Sequence, residues 1–202
     1  MIAYRQATID DVDAMAEVEA ASWPGSLATP REAIADRVSV FAAGQWVAVL
    51  NGCIVGAAYA QRICLQQLQI CPLTYEHVTD HGAFRTTHVS QGPIYQLVGV
   101  GVAPAGQGMG CGRALIDRQI DFARGIGGVT RILGFTRPVR FHQFPQLSIA
   151  QYLERRSESG LVADPVLSFH LDSGAQLVSS HPDFRRDDQE SRGYGILIEY
   201  PV

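Results

Sequence analysis

The sequence predicts one domain of the α/β class, in which strands and helices pack around a shared core. Three observations favour this class. An apolar strand, Ile2 to Ala7, leads directly into a helix that begins near Thr8. Two apolar runs, joined by the turn residues Asn51 and Gly52, have the pattern of a β-hairpin. A further strand, Ile94 to Val102, passes through a glycine-rich turn into an amphipathic helix.

The remaining elements follow from local patterns. Thr8 and the acids after it cap the first helix, whose apolar face includes Val12, Met15 and Ala16. Asp164 and Pro165 start a late helix, and Gly174 ends it. The predicted helices are Pro30 to Val38, Gly110 to Arg124, Ile149 to Arg156 and Pro165 to Ser173. The other predicted strands are Trp46 to Leu50, Ile54 to Ala60, Thr130 to Thr136, Ala175 to Ser179 and Tyr194 to Tyr200. Residues 65–93 are expected to form a helix fragment and a loop.

Composition limits the function classes. The chain has 202 residues, 47% of them apolar, which suits one sizeable core. No apolar stretch is long enough to span a membrane, so a cytoplasmic protein is expected. The formal charge of −4 disfavours a nucleic-acid surface. All 16 cationic side chains are arginine, which excludes a Walker-type phosphate lysine and a Schiff-base lysine.

Cysteine and histidine spacing gives no metal site. Cys53, Cys64, Cys71 and Cys111 form no CxxC pair, so we expect reduced thiols buried as small apolar residues. His77 and His81 have the i,i+4 spacing of helical metal ligands, but the sequence offers no evident third ligand. No metal is therefore predicted.

The glycine-rich turn between the central strand and its helix has the chemistry of a pyrophosphate site. Glycines allow backbone N–H groups to converge, and a helix N-terminus adds partial positive charge. The loop does not fit the GxGxxG dinucleotide spacing, and a P-loop needs a lysine. Its residues are Gln107, Gly108, Met109, Gly110, Cys111, Gly112 and Arg113.

Gln107, Gly110 and Gly112 fit the motif Gln/Arg-x-x-Gly-x-Gly/Ala, with Pro104 before it and Leu115 after it. In this context the chain resembles the GCN5-related acetyltransferases. The resemblance implies a mixed, mostly antiparallel sheet, splayed at the coenzyme A site and flanked by helices. It also implies that backbone N–H groups from Gln107 to Arg113 hold the coenzyme A pyrophosphate. The strand edge at Val100 and Val102 would pair with the pantetheine amides. Residues 137–163 depart from the family pattern as an insertion expected over the acyl end.

The acyl end of the site departs from ordinary acetyl transfer. Members of this family often carry a tyrosine four residues before a glycine, and His170 stands at that place before Gly174. A histidine with a pKa near neutrality can donate a hydrogen bond or a proton to a developing oxyanion. The strands Tyr95 to Val102 and Arg131 to Thr136 contain no carboxylate that could serve as a base for an amine.

A more specific resemblance rests on few residues. Thr136, the segment Asp164 to His170, and Asp183-Phe-Arg185 are similar to the GCN5-like decarboxylases that load polyketide synthases of the curacin type. That resemblance implies catalytic roles for His170 and Thr136, and substrate binding by Arg185 and Trp23. A related branch, fused to nitrilase-like domains, shares the Asp-Pro-x-Leu segment but not the histidine.

These observations favour a malonyl-CoA decarboxylase that yields acetyl-CoA or acetyl-carrier protein, with an acyl-CoA as its small-molecule partner. Two alternatives stay open: an ordinary N- or O-acetyltransferase with a water-relayed base, and an acyl-CoA-binding module without turnover. Each proposed site residue also has a structural alternative. His170 fits a hydrogen-bonded structural histidine, and Thr136 fits an ordinary β-former. Arg185 fits a surface ion pair, and Trp23 fits a cover for the core edge.

Overall fold

The computed structural model describes residues 1–158 and 160–202. One sheet of seven strands forms its centre, in the order β1-β2-β3-β4-β5-β7-β6. The strands are β1 (Ile2–Gln6), β2 (Gln45–Leu50), β3 (Cys53–Ile63), β4 (Ile94–Val102), β5 (Arg131–Thr136), β6 (Gln176–His181) and β7 (Gly195–Tyr200). Only β4 and β5 run parallel, and every other neighbouring pair is antiparallel. The prediction of a mixed, mostly antiparallel sheet flanked by helices is confirmed.

The helices begin and end close to the predicted residues. They are α1 (Val12–Ser22), α2 (Arg31–Phe41), α3 (Tyr75–Thr79), α4 (Cys111–Gly125), α5 (Ile149–Leu153) and α6 (Pro165–Asp172). Thr8 and Asp11 form a capping box before α1, and the Asp164 carboxylate accepts bonds from the first turn of α6. Pro30 precedes α2 instead of opening it, and α5 ends three residues earlier than predicted. No helix within the described ranges could cross a membrane.

The parallel pair β4 and β5 separates partway along its length. The two strands pair only from Ile94 to Leu97 on β4, opposite Arg131 to Gly134 on β5. Beyond that point β4 continues beside β3 alone, and the register with β3 shifts at Val98. A bulge of this kind bends its strand away from the regular sheet. The sheet is therefore split between β4 and β5.

Apolar clusters cover both faces of the sheet. We call one side the α4 face, because Ile116 of α4 and Leu167 of α6 pack there against sheet residues such as Ile132. The opposite side is the α1 face, where Met15 of α1 and Ile34 of α2 pack on the sheet. Because β4 and β5 separate, the split offers a passage from one face of the sheet to the other. Side chains alternate between faces along a strand, so residues of both faces lie beside this passage.

Segment 137–163 is tied to the start of α6. The Asp164 carboxylate accepts a hydrogen bond from the Tyr152 hydroxyl at 2.6 Å and another from the Arg140 backbone N–H at 3.0 Å. Of the described residues of this segment, only Arg137 lines the cavity that opens at the split between β4 and β5. Its placement over the acyl end stays a prediction.

The environment of the cysteines differs from the expectation. Cys111 is buried, but Cys53 and Cys71 are exposed and Cys64 is half-buried, so the prediction of four buried thiols is wrong. Cys53 opens β3 directly after the hairpin turn, and Cys71 lies in the irregular segment before α3, where neither is covered. His77 lies in α3, but His81 follows the end of that helix with a positive φ of 52°.

Candidate functional site

A cavity of about 330 Å³ opens at the split between β4 and β5. Both strands line it, together with the C-terminal end of α1, the helices α3, α4 and α6, and the segment 184–195. His170, Thr136, Arg185 and Trp23 all contribute to its walls, as do Val100 and Val102. The structure therefore brings together the predicted acyl-end residues and the predicted pantetheine strand around one cavity.

The glycine-rich loop presents free backbone donors. Within the described chain, no intramolecular hydrogen bond involves the backbone N–H groups of residues 108–113; the first helical bond comes from Ala114 to Gly110 at 3.0 Å. Gly108 and Gly110 have φ near +75°, a conformation that side chains other than glycine rarely adopt. Six consecutive unpaired N–H groups at the N-terminus of a 15-residue helix form a concave donor surface suited to phosphate.

The side chains of the loop do not compete for that surface. The Gln107 amide donates to the Val102 carbonyl at 3.1 Å, which fixes the loop to the end of β4. Cys111 is buried under the loop beside Leu115, while Met109 projects outward. The Arg113 guanidinium donates to Asp117 and to the Asp172 carbonyl at the end of α6. This arrangement leaves the backbone N–H groups of the loop free for a ligand.

The edge of β4 facing the split is open. Gly99 to Val102 pair with β3 on one side, and no residue from Val98 to Val102 has a partner on β5. Peptide groups on such an edge can pair with an extended, amide-containing ligand, as in strand addition. The loop residues lie at the end of the same strand, so one elongated ligand can contact both.

His170 lies on α6 at the α4 face of the split. Its Nδ1 atom lies 2.7 Å from the hydroxyl of Tyr200 on β7. Burial lowers the pKa of His170 to about 4, because the charged imidazolium loses hydration there. The expectation of a near-neutral pKa is therefore wrong. At pH 7 the ring is neutral and acts as a hydrogen-bond donor or acceptor, not as an acid.

Thr136 ends β5 with a buried hydroxyl. The residue is 4% exposed and lines the cavity, and its Oγ1 atom has no hydrogen-bond partner among the described residues. A buried, unpartnered hydroxyl costs stability, which is unusual for an ordinary strand residue. The hydroxyl is thus available to a ligand.

Neighbouring residues on β5 show that the cavity crosses the sheet. Phe135 must point to the face opposite Thr136, and its ring stacks on Phe184 at 4.1 Å. The Phe184 carbonyl accepts a hydrogen bond from the backbone of Tyr75 in α3. Arg185 follows Phe184 directly, so it belongs to the α1 face, whereas Thr136 belongs to the α4 face.

Arg185 is a half-buried cation without a carboxylate partner in the described chain. Its guanidinium donates to the Leu27 carbonyl at 2.6 Å and lies 4.2 Å from the Tyr75 ring centroid and 5.7 Å from that of Trp23. These contacts orient the group but leave its charge uncompensated. The alternative of a surface ion pair applies instead to its neighbour Arg186, which is exposed and lies 3.8 Å from Asp183.

A second cation in the cavity wall is compensated. Arg137 donates to the carboxylates of Asp188, at 2.7 Å, and Glu190, at 2.9 Å, and its guanidinium lies 5.8 Å from the Trp23 ring centroid. The Asp188 side chain is 2% exposed. Sequence reasoning missed this pair because its members lie 51 residues apart, in an apparent insertion and a charged loop.

A buried amide relay also escaped sequence analysis. Gln61 donates to the Val78 carbonyl at 2.7 Å, which fixes its amide orientation, and to the Gln96 carbonyl oxygen at 2.8 Å. The Thr87 hydroxyl donates to the Gln61 oxygen at 2.8 Å. The Gln96 amide nitrogen therefore keeps its donors for the cavity that Gln96 lines. A glutamine inside an apolar strand was the one available signal.

A splayed mixed sheet with a glycine-rich loop of free backbone donors at the end of its central strand is typical of a class of acyl-CoA-dependent enzymes. Residues 12–143 match the acetyltransferase (GNAT) family. The chain belongs to that family.

Three relatives are informative. The chain is 27% identical over 191 residues to the probable hydrolase YhcX of Bacillus subtilis strain 168, covering 94% of this chain but 36% of YhcX. The loading GNATL domain of CurA from Lyngbya majuscula is 29% identical, with a TM-score of 0.89 and coverage of 99% of this chain and 97% of that domain. The GphF GNAT-like decarboxylase, solved with isobutyryl-CoA, is 29% identical, with a TM-score of 0.83 and 98% coverage of both chains.

Proposed function

We propose that this protein decarboxylates malonyl-CoA to acetyl-CoA, and that it passes the acetyl group to a carrier-protein thiol in loading a polyketide starter unit. The uncompensated charge of Arg185 in the cavity carries the proposal. An acetyl group has no feature that would call for an unpaired cation in the cavity, whereas the distal carboxylate of a malonyl group does. Trp23 and Tyr75, which flank the guanidinium, would hold it in place for that carboxylate.

The cavity crosses the sheet in the direction this substrate needs. The pyrophosphate would bind the N–H groups of residues 108–113, and the pantetheine amides would pair with β4 at Val100 and Val102. The thioester would then lie near Thr136 and His170, with the carboxylate extending through the split toward Arg185. Segment 137–163 would lie over the acyl end, as its position in the sequence predicts.

The reaction requires stabilisation of an enolate. The bond between the carboxylate carbon and the α carbon breaks, CO₂ leaves, and the electron pair moves onto the thioester oxygen. Donors from His170 and Thr136 would stabilise that oxyanion, as in other oxyanion holes. The α carbon then takes a proton from water, and acetyl-CoA is formed. In the transfer step the carrier-protein thiol would attack the thioester carbon, its proton would pass to the departing sulfur, and coenzyme A would leave as the free thiol.

The ordinary acetyltransferase alternative finds no free carboxylate base among the described residues that line the cavity. Asp188 lies in the cavity wall, but hydrogen bonds from Arg137 and Ser191 occupy its carboxylate. These bonds, opposed by burial, hold the pKa of Asp188 below its usual range. Glu19, on the α1 face, is buried and does not line the cavity.

The test is incubation of the purified protein with malonyl-CoA, with acetyl-CoA and CO₂ followed by mass spectrometry. Acetyl-CoA formation well above the buffer rate is expected, and a carrier protein with its thiol arm should become acetylated. Transfer from acetyl-CoA to amines without malonyl-CoA turnover would favour the acetyltransferase. Coenzyme A binding without either reaction would favour the binding module.

Arg185→Met tests the residue that carries the proposal. We expect KM for malonyl-CoA to rise about 50-fold, because a half-buried charged hydrogen bond is lost, while the Kd for acetyl-CoA stays within 2-fold. Arg186→Met removes the neighbouring exposed charge and should leave both values unchanged. Equal effects of the two substitutions would contradict carboxylate binding at Arg185.

A further inference from the structure

We infer that Tyr200 is a positioning residue that holds the neutral His170 ring with its proton on Nε2, directed at the reacting oxygen. The inference rests on the proposed function for its effect on turnover. The hydrogen bond between the two side chains exists independently of that function.

The direction of the hydrogen bond follows from the surroundings of Tyr200. The residue is 1% exposed, belongs to the apolar cluster on the α4 face, and does not line the cavity. If Nδ1–H donated to the phenol oxygen, the phenol hydrogen would have no acceptor among the described residues. If the phenol donates to Nδ1, both groups are satisfied. Burial raises the pKa of the Tyr200 hydroxyl, so it remains a donor.

The tautomer of His170 is then determined. A neutral imidazole that accepts at Nδ1 must carry its proton on Nε2. In the described chain Nε2 has no protein partner, and His170 lines the cavity. The ring thus presents one fixed donor to an oxyanion. Because that donor is neutral, it can stabilise negative charge without first having to be protonated, as a neutral histidine can in other enzymes.

The alternative tautomer would disable the site. With the proton on Nδ1, the lone pair of Nε2 would face the enolate oxygen and repel it. Tyr200 would therefore act through His170 without touching the substrate. Sequence analysis gives no sign of this pair, since its members lie 30 residues apart and Tyr200 reads as an ordinary strand residue.

The direct test is long-range ¹H–¹⁵N correlation of histidine-labelled wild-type protein at pH 7, with His170 assigned from the signal lost in His170→Gln. We expect the pattern of a neutral ring protonated on Nε2. The pattern of an Nδ1-protonated ring, or of an imidazolium, would overturn the inference. The NMR measurement needs no turnover. It therefore tests the tautomer of His170 even if the proposed function is wrong.

Kinetics of Tyr200→Phe give the second test. We expect kcat for malonyl-CoA to fall about 10-fold to 100-fold, less than outright loss of an oxyanion donor, with KM and coenzyme A affinity within 2-fold. The spectrum of this variant should show a mixture of tautomers. An unchanged kcat together with an unchanged spectrum would overturn the role of Tyr200.

Tyr95→Phe is the matched control. Tyr95 belongs to the same buried cluster, but its hydroxyl has no partner in the described chain and it does not line the cavity. Its kcat should equal that of the wild type, and an equal loss in both variants would contradict the proposal.

Two amide substitutions of His170 give a further comparison. In His170→Gln the amide nitrogen falls near the position of Nε2, whereas in His170→Asn it falls near the position of Nδ1. The Gln variant should retain at least about 10-fold more activity.

Discussion

The two walls of the cavity differ in charge. On the α4 face, His170, Thr136 and Tyr200 are uncharged and largely buried. On the α1 face, Arg185 presents a cation whose charge is uncompensated. The difference separates two tasks. A fixed cation recognises a group that is charged in the bound substrate, whereas neutral donors stabilise charge that appears only in the transition state.

The contrast also explains the pair formed by Arg137 and Asp188. In the proposed complex with malonyl-CoA, a second cation without a partner in the same cavity would bind the carboxylate in a competing position. Asp188 and Glu190 neutralise Arg137, so that Arg185 alone is left for the ligand among the charged lining residues described. Arg137 then contributes its planar surface to the position of Trp23.

The largest effect is expected from the neutral wall. His170→Ala should lower kcat for malonyl-CoA by about 10³-fold, because the oxyanion loses a fixed donor, while coenzyme A affinity stays within 2-fold by calorimetry. His77→Ala removes an exposed histidine outside the cavity and should be without effect. Unaltered turnover in His170→Ala would mean that His170 is a structural residue. The α4 face would then lack the neutral donor that distinguishes it from the α1 face.

Loss of the ion pair between Arg137 and Asp188 should lower the stability of the protein. Asp188→Asn leaves Arg137 in a partly buried position with a weaker partner, and we expect the free energy of unfolding to fall by about 3 kcal/mol in urea titrations. Asp183→Asn, on the same segment but exposed, should change it by less than about 0.5 kcal/mol. Similar losses of unfolding free energy in both variants would mean that the buried ion pair stabilises the protein no more than an exposed one.

Thr136→Val separates catalysis from stability. Loss of the hydroxyl should lower kcat about 10-fold, while removal of an unpartnered buried oxygen should raise the free energy of unfolding by about 1 kcal/mol. Thr130→Val, directly before β5 and outside the cavity, serves as the control for kcat. If kcat stays at the wild-type value, Thr136 is an ordinary strand residue, which was the alternative from sequence.

Local signals made much of this architecture predictable. The strand β4, the loop at Gly108 and Gly110, and the α6 start at Asp164 each depend on residues a few positions apart. The free N–H groups of the glycine-rich loop follow from such signals, since backbone geometry creates them. The arrangement of the two cavity walls relative to each other does not follow from local signals. Gln61 reaches Gln96 across 35 residues, and His170 reaches Tyr200 across 30, so only the sheet order brings them together.

The pKa of His170 shows the same limit. The sequence places a histidine before Gly174, and the ordinary pKa of the side chain suggests an acid. Only the folded structure reveals the burial that lowers the pKa to about 4. The proposed role changes accordingly from a proton donor to a neutral hydrogen-bond donor.

The smallest expected effect sharpens this distinction. Above its pKa of about 4 the ring is neutral and keeps its Nε2 proton, so kcat for malonyl-CoA should vary by less than about 2-fold between pH 6 and 8. An acid with an ordinary pKa of about 6.5 would lose its proton across this range, and kcat would fall more than about 10-fold. The measurement is kcat at saturating substrate in buffers of constant ionic strength. If kcat falls steeply above pH 6.5 in the wild type but not in His170→Gln, the charged imidazolium is the active form. The α4 face would then not be uncharged in the active enzyme.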